Sequence, residues 1–216
     1  MRDTELFQAA LGLADPWYVK AVRFDATAKR LDIDIDFKRG ARFQNPGDNS
    51  ANCPVHDTVE KQWRHLDFFQ HEAYINARVP RVKGNDGSVR LVNVPWARPG
   101  SGFTLLFEAL IMALVPAMPV KEAGEIVSEH DTRLWRVIHH HVEEARARAD
   151  HAAVSKVAID ETAARRGHNY VTLFVDIDQR RVLFVTEGKD ASTVARFADD
   201  LEAHGCLLYT SDAADE

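Results

Sequence analysis

KVAIDETAARRGHNYVTLFVDIDQRRVLFVTEGKDASTVARFADDLEAH, residues 156–204, decides the class of fold. Apolar residues fall in strand-like runs over 156–162, 170–176 and 181–187, the last two joined by the turn IDQR. Helical spacing then covers 191–204. The order is β-β-β-α. Toward the N-terminus, helical spacing also governs 103–115, 120–128 and 132–149, with a tight turn at 129–131. Two short helices, a turn and a longer helix make a helix-turn-helix candidate, or in the plainer reading a helical hairpin. RPGSG at 98–102 marks the boundary before it. Further upstream, 17–24 and 31–37 alternate, the second strictly as LDIDIDF, which predicts a hairpin with one wet face. Residues 38–52 read as loop, and 62–68, 73–82 and 88–94 as strands, with KGNDG at 83–87 reversing the chain. Residues 4–13 have helical spacing. The class is α+β: a small antiparallel β-rich domain over 1–99, helices over 100–150, and the β-β-β-α opening of a third domain over 151–205.

The 216 residues are 45% hydrophobic and 28% charged, a globular composition. No apolar run reaches the roughly 18 residues of a membrane span, and the N-terminus lacks a signal-peptide pattern, so a cytoplasmic protein without membrane partners is expected. The formal charge of −6 excludes a chain-wide basic coat; any nucleic-acid contact must be local. The tail CLLYTSDAADE, residues 206–216, is similar to one translation of a common transposon-end adapter of sequencing libraries. Read so, the open frame is truncated, and the charge becomes −3 without Asp212, Asp215 and Glu216. Cys53 is then the sole native cysteine, which excludes an internal disulfide and fits a reducing compartment.

Several residue groups bear on chemistry. Asp160 ends the first strand of the β-β-β-α unit, where a carboxylate at a sheet edge can take a divalent cation. A hairpin followed by a helix opens a ribonuclease-H-like fold, whose acids hold two metal ions against a phosphodiester; strands ending in Asp are also common without any such role. Cys53 and His56 supply two zinc ligands where a structural site needs four. His65 and His71 are nearby, but their spacing does not require a site. Thr132, Arg133 and Arg136 open the long helix, where a recognition helix reads bases or grips phosphate, although Glu122, Glu125, Glu129 and Asp131 surround them. Arg165 and Arg166 form a basic turn that touches phosphate or is simply solvated. His139, His140 and His141 cannot share one helix face, and RPGSG lacks the strand-then-helix context of a phosphate loop.

Four stretches together, IDETAARRGHNYVTLFVDIDQRRVLFVTEGKD (159–190), WRHLDFFQHEAYINARVPRV (63–82), VPWARPGSGFTLLFEAL (94–110) and HDTRLWRVIHHHVEEARAR (130–148), resemble the DDE transposases of bacterial insertion sequences, ISL-three family. The resemblance implies a zinc-finger-like N-terminal region, a helix-turn-helix for double-stranded DNA at the element's terminal inverted repeats, and a ribonuclease-H-like core. It also implies Mg²⁺-dependent strand cleavage and transfer by three acids, with assembly of several copies on DNA. Asp160 matches the first acid; the other two are expected downstream of this sequence, which makes the chain catalytically incomplete. Asp176, Asp178 and Glu187 read as turn and surface residues rather than substitutes. The family's zinc ligands fall near Asn45, Asp48, Gly84 and Gly87, and the departure at all four predicts a finger folded without Zn²⁺. A non-catalytic regulator occupying the element's ends is the rival reading.

Overall fold

The computed structural model describes residues 2–163 and 170–206, and the chain forms two compact units, Met1–His139 and His140–Glu216. In the first, helix α1 (Asp3–Ala10) leads into strands β1 (Trp17–Asp25), β2 (Arg30–Phe37), β3 (Arg42–Phe43), β4 (Cys53–Phe68), β5 (His71–Lys83) and β6 (Val89–Leu91). The strands run in the order β1-β2-β5-β4-β3, with β6 on the end of β5. The alternation of LDIDIDF does what its period requires. Leu31, Ile33 and Ile35 are buried, while Asp32, Asp34 and Asp36 pair with Arg30, Arg23 and Arg78.

Two features differ from the expected antiparallel sheet. β2 pairs with β5 in parallel, because the chain leaves β2 through the 38–52 loop and the long β4 before returning beside it. β4 extends over Cys53–Phe68 as one bulged strand, well before the expected start at 62, because it pairs with β5 from Val55 to Phe68 and with β3 at Cys53 and Pro54. Between these strands lies an aromatic core in which Trp96 meets Trp17 and Trp63 edge-on, with centroids 5.0 and 5.6 Å apart.

The same unit contains α2 (Leu105–Leu114), α3 (Val120–Val127) and most of α4 (Asp131–Ala147). They share a core of Phe103, Phe107, Ile111, Ala123, Val127, Leu134 and Val137. Thr104 caps α2 by accepting from the Phe107 amide. α3 stops at Ser128, in the left-handed region at φ 55°, and a Cβ on Gly124 would lie 2.7 Å from the Glu129 carbonyl oxygen. Only glycine admits so close a turn between α3 and α4.

The second unit has β7 (Val157–Ala163), β8 (Tyr170–Asp176) and β9 (Arg181–Glu187) in an antiparallel sheet, followed by α5 (Ala191–Ala203). α5 covers one face, where Phe197 stacks on Phe174 at 4.0 Å. Val154, Leu183 and Leu201 complete that core.

Candidate nucleic-acid interface

α4 buries Leu134 and Val137 and leaves Thr132, Trp135, Arg136 and His139 exposed. These four are spaced i, i+3, i+4 and i+7, so they form one solvent face of the helix. Trp135 lies against His139 with ring centroids 5.8 Å apart, and Arg136 makes no hydrogen bond or ion pair among the described residues. Thr132 is anchored through its amide to Asp131 Oδ1 at 2.7 Å. Thr132 and Arg136 thus stand on an open solvent face. Trp135 lacks a signal in the sequence, because an aromatic among apolar residues at helical spacing has the pattern of a core position; Leu134 and Val137 fill that core instead.

Arg133 is placed differently. Its guanidinium pairs with Glu129 and lies 4.3 Å over the Phe103 ring, so its reach is spent within the protein. Glu129 is only 8% exposed and also faces Arg64, whose Nε is 3.9 Å from Glu129 Oε1. Arg64 itself is buried: it donates to the His65 carbonyl at 2.6 Å, pairs with Asp67 and sits over Phe107. The backbone continues the link, with the Arg64 amide donating to Gly102 and the Thr104 amide to Arg64. Arg64–Glu129–Arg133 therefore ties the sheet to the turn that aims α4. Glu129, an acid that read as opposing DNA, is a buried ion-pair centre with its charge answered from both sides. Nothing in the local sequence announces this, because Arg64 lies 65 positions away.

His65 joins the same junction, its Nδ1 2.9 Å from the Thr104 hydroxyl. Burial, and secondarily the Arg64 charge, pushes its pKa below the ordinary histidine value.

In the finger region, hydrogen bonds surround the positions where the resemblance places zinc ligands. Asn45 is fully buried, accepts from the Gly47 amide at 2.8 Å and donates to the Val82 carbonyl. Asp48 accepts from the amides of Ser50 at 2.9 Å and Asn85 at 2.7 Å. Its carboxyl is held down to about 2 by the Ser50 hydroxyl beside it and then by these amides. A Cβ on Gly84 would fall 2.6 Å from Asp48 Oδ2 and 2.8 Å from Asn45 Nδ2. Three of the four positions where the resemblance places zinc ligands thus converge, with Asn, Asp and backbone amides bonding to one another across the gap. Cys53 and His56 do not join them. The Cys53 thiol is buried and donates to Ser50 O, His56 is exposed, and neither belongs with His65 or His71 to a potential ligand group among the described residues.

Asp160 lies in the middle of β7, not at its end, opposite Leu173, which is opposite Val185. By strand alternation this is the face away from α5, since Phe174 faces the helix. β7 is exposed along most of its length and is an edge strand with one neighbour among the described residues. Asp160 belongs to no group of three potential metal ligands among them. Asp176 accepts from the amides of Asp178 and Gln179 at 3.0 Å and so closes the hairpin turn, though it is buried rather than on the surface. Arg165 and Arg166 lie outside the described residues, as does the tail from 207.

In chain order, a β-rich region is followed by a trihelical unit with an exposed, partly basic third helix and then by an acid-bearing β-β-β-α unit; the three helices have the arrangement of a helix-turn-helix. Comparison with known families makes this specific. Residues 46–84 match the zinc-finger of transposase IS204/IS1001/IS1096/IS1165. Residues 92–142 match the helix-turn-helix domain of transposase family ISL3, and 157–210 match that family's transposase segment. In chain order the three segments thus match the zinc-finger, helix-turn-helix and transposase models of ISL3-type transposases. It is 28% identical over 221 residues to the transposase for insertion sequence element IS1557 of Mycobacterium tuberculosis, in strains CDC 1551 / Oshkosh and H37Rv, covering 100% of this chain and 50% of the relative. It is 26% identical over 160 residues to the transposase for insertion sequence element IS1001 of Bordetella parapertussis, covering 70% of this chain and 38% of that one. The chain thus spans about half the length of the curated IS1557 relatives, 50% of each. No solved structure matches it. No described helix is long and apolar enough to cross a membrane.

Proposed function

We propose that this chain recognises the terminal inverted repeats of an insertion sequence through α4, and that in the complete transposase it contributes Asp160 to DNA cleavage and strand transfer. The observation that carries the reading is the open face of α4 beside a turn whose acid, Glu129, is buried and paired. With that charge answered internally, Arg136 can meet a phosphate or a guanine edge while Trp135 and Thr132 pack against the groove wall. Arg133 acts by holding the turn. The work belongs in the cytoplasm at the nucleoid, with more than one copy gathering on the paired repeats.

The β-β-β-α unit supports a ribonuclease-H-like core: antiparallel strands, one face covered by the following helix, and the first acid on the opposite face. The family implies a divalent metal, which we take to be Mg²⁺. Asp160 alone does not fit a magnesium pair, which needs several oxygen ligands brought together. No cleavage step is therefore assigned to these residues, and this chain should bind DNA without cutting it. The match of 157–210 to the family's transposase segment favours the enzyme over a dedicated regulator.

Fluorescence anisotropy with labelled terminal-repeat and random duplexes tests the reading. The repeat should bind more tightly. Arg136→Ala should cost about 1–3 kcal/mol of that discrimination if Arg136 reads a base, or weaken both duplexes alike and reduce the salt slope by about 1 if it grips phosphate. Equal affinity of the wild type for the two duplexes sinks specific recognition through α4.

A further inference from the structure

His151, Asp200 and His204 bring their ligand atoms within 4.8 Å of one another inside the second unit, and they are the one such group among the described residues. Neither zinc-finger spacing nor the acid motif includes them. Asp200, in the last turn of α5, and His204, its C-cap, are i, i+4 and so lie on the same side of the helix end. His151 comes from the segment before β7, and its amide donates to the His204 carbonyl at 2.9 Å, which fixes the two backbones together. The rings lie 5.0 Å apart.

Three details point to a ligand rather than to packing. His151 is 4% exposed, yet neither ring nitrogen has a hydrogen-bond partner. A buried imidazole with both nitrogens idle is costly, since each buried polar group left unpaired keeps its full desolvation penalty. Asp200 Oδ1 accepts from the Arg146 guanidinium, while Oδ2 is buried and has no hydrogen bond. Arg146 is itself held by the Leu183 carbonyl at 2.8 Å, so it orients the carboxylate and leaves Oδ2 facing the rings. His204 Nε2 is 3.0 Å from the Arg146 carbonyl, a contact that places the ring proton on Nε2 and leaves Nδ1 as the lone-pair nitrogen. That other nitrogen, Nδ1, is 3.6 Å from Asp200 Oδ2 and 2.6 Å from the Asp200 carbonyl. With the ring proton on Nε2, Nδ1 turns a lone pair toward the Asp200 carbonyl oxygen, a repulsion that a cation bound at Nδ1 relieves.

We propose that His151, Asp200 and His204 form a binding site for a divalent transition-metal ion of the zinc class. Two imidazoles and one carboxylate suit zinc or cobalt and poorly suit magnesium, which prefers oxygen. An ion about 2.0–2.1 Å from each nitrogen needs donors roughly 3.3 Å apart in a tetrahedron, so the group must contract. The side chain that has to move is His151, the one no hydrogen bond restrains. A solvent oxygen takes the fourth position. The nearby Arg146 charge weakens the site relative to a closed four-ligand one, and the ion fastens the end of α5 to the chain entering β7.

The test uses the full chain after dialysis against EDTA. Titration with Zn²⁺ by calorimetry and with Co²⁺ by absorption should each saturate near one equivalent per chain, and Zn²⁺ should raise Tm. Long-range ¹H–¹⁵N spectra of the wild type should show ring nitrogens of both His151 and His204 shifting on Zn²⁺ addition. This measurement decides the matter even where a variant fails to fold. His151→Asn and His204→Gln should abolish the cobalt spectrum, while Cys53→Ser with His56→Gln leaves it unchanged. No saturable binding, as for a cluster holding water only, overturns the proposal. So does Zn²⁺ binding that leaves the His151 and His204 nitrogens unmoved, or cobalt binding that survives in folded His151→Asn.

Discussion

Arg64→Met is the sharpest probe of how this protein holds its recognition helix. Arg64 has a side chain 1% exposed, and Glu129 opposite it is 8% exposed. Methionine keeps much of the stem volume against Phe107 and Tyr74, so the loss is the guanidinium rather than the packing. Removing one member of a buried ion pair costs about 3–5 kcal/mol, because the survivor is left desolvated. Arg133 still faces Glu129, which puts the expected cost at the low end, about 3 kcal/mol. With an m-value of about 2 kcal/mol/M, the urea midpoint should fall by about 1.5 M. Tryptophan fluorescence is a suitable readout, since Trp17, Trp63 and Trp96 lie in the core of this unit. In a Glu129→Gln background the stranded charge is gone, and Arg64→Met should cost at least about 1 kcal/mol less. Terminal-repeat affinity should also fall under conditions where the variant remains folded. A cost under about 0.5 kcal/mol, within the range of ordinary surface substitutions, or an equal cost in both backgrounds, refutes the idea that this network aims α4.

The ribbon provides a gain-of-function test. Asn45→Cys, Asp48→Cys, Gly84→Cys and Gly87→Cys together should yield stoichiometric zinc in the ribbon; Gly87, at φ 80°, adds about 1–2 kcal/mol of backbone strain, against about 10 kcal/mol or more from a structural zinc. Failure of the quadruple variant to bind zinc by elemental analysis shows that the hydrogen-bonded positions do not mark a lost site. His65 makes stability depend on pH: its folded pKa lies below the unfolded value of about 6.5, so the unfolded chain takes the proton first. Stability should be full above about pH 6.5 and decline as pH falls toward the folded pKa, and His65→Gln should lose that slope in urea titrations between about pH 7.5 and 5.5; an unchanged slope refutes the assignment. In a protein completed with its downstream sequence, Asp160→Asn should keep repeat binding and lose Mg²⁺-dependent nicking, and persistent nicking removes Asp160 from the metal site.

What the sequence by itself determined was local and periodic. LDIDIDF alternates because one face of β2 is buried, and the hairpin across IDQR and the helices around residues 105–147 follow from spacing that any reader of the chain can see. Family resemblance was legible for the same reason, since contiguous motifs survive divergence. The tertiary structure decided what depends on distant partners. It paired β2 with β5 in parallel, turned Glu129 from an obstacle to DNA into a buried anchor for Arg64 and Arg133, and joined Asn45 and Asp48 to the Gly84 turn by hydrogen bonds. It also gathered His151, Asp200 and His204, residues that no one-dimensional spacing connects. The physical reason is that burial and charge compensation are properties of a neighbourhood in space, and a buried polar group is intelligible only once the groups around it are known.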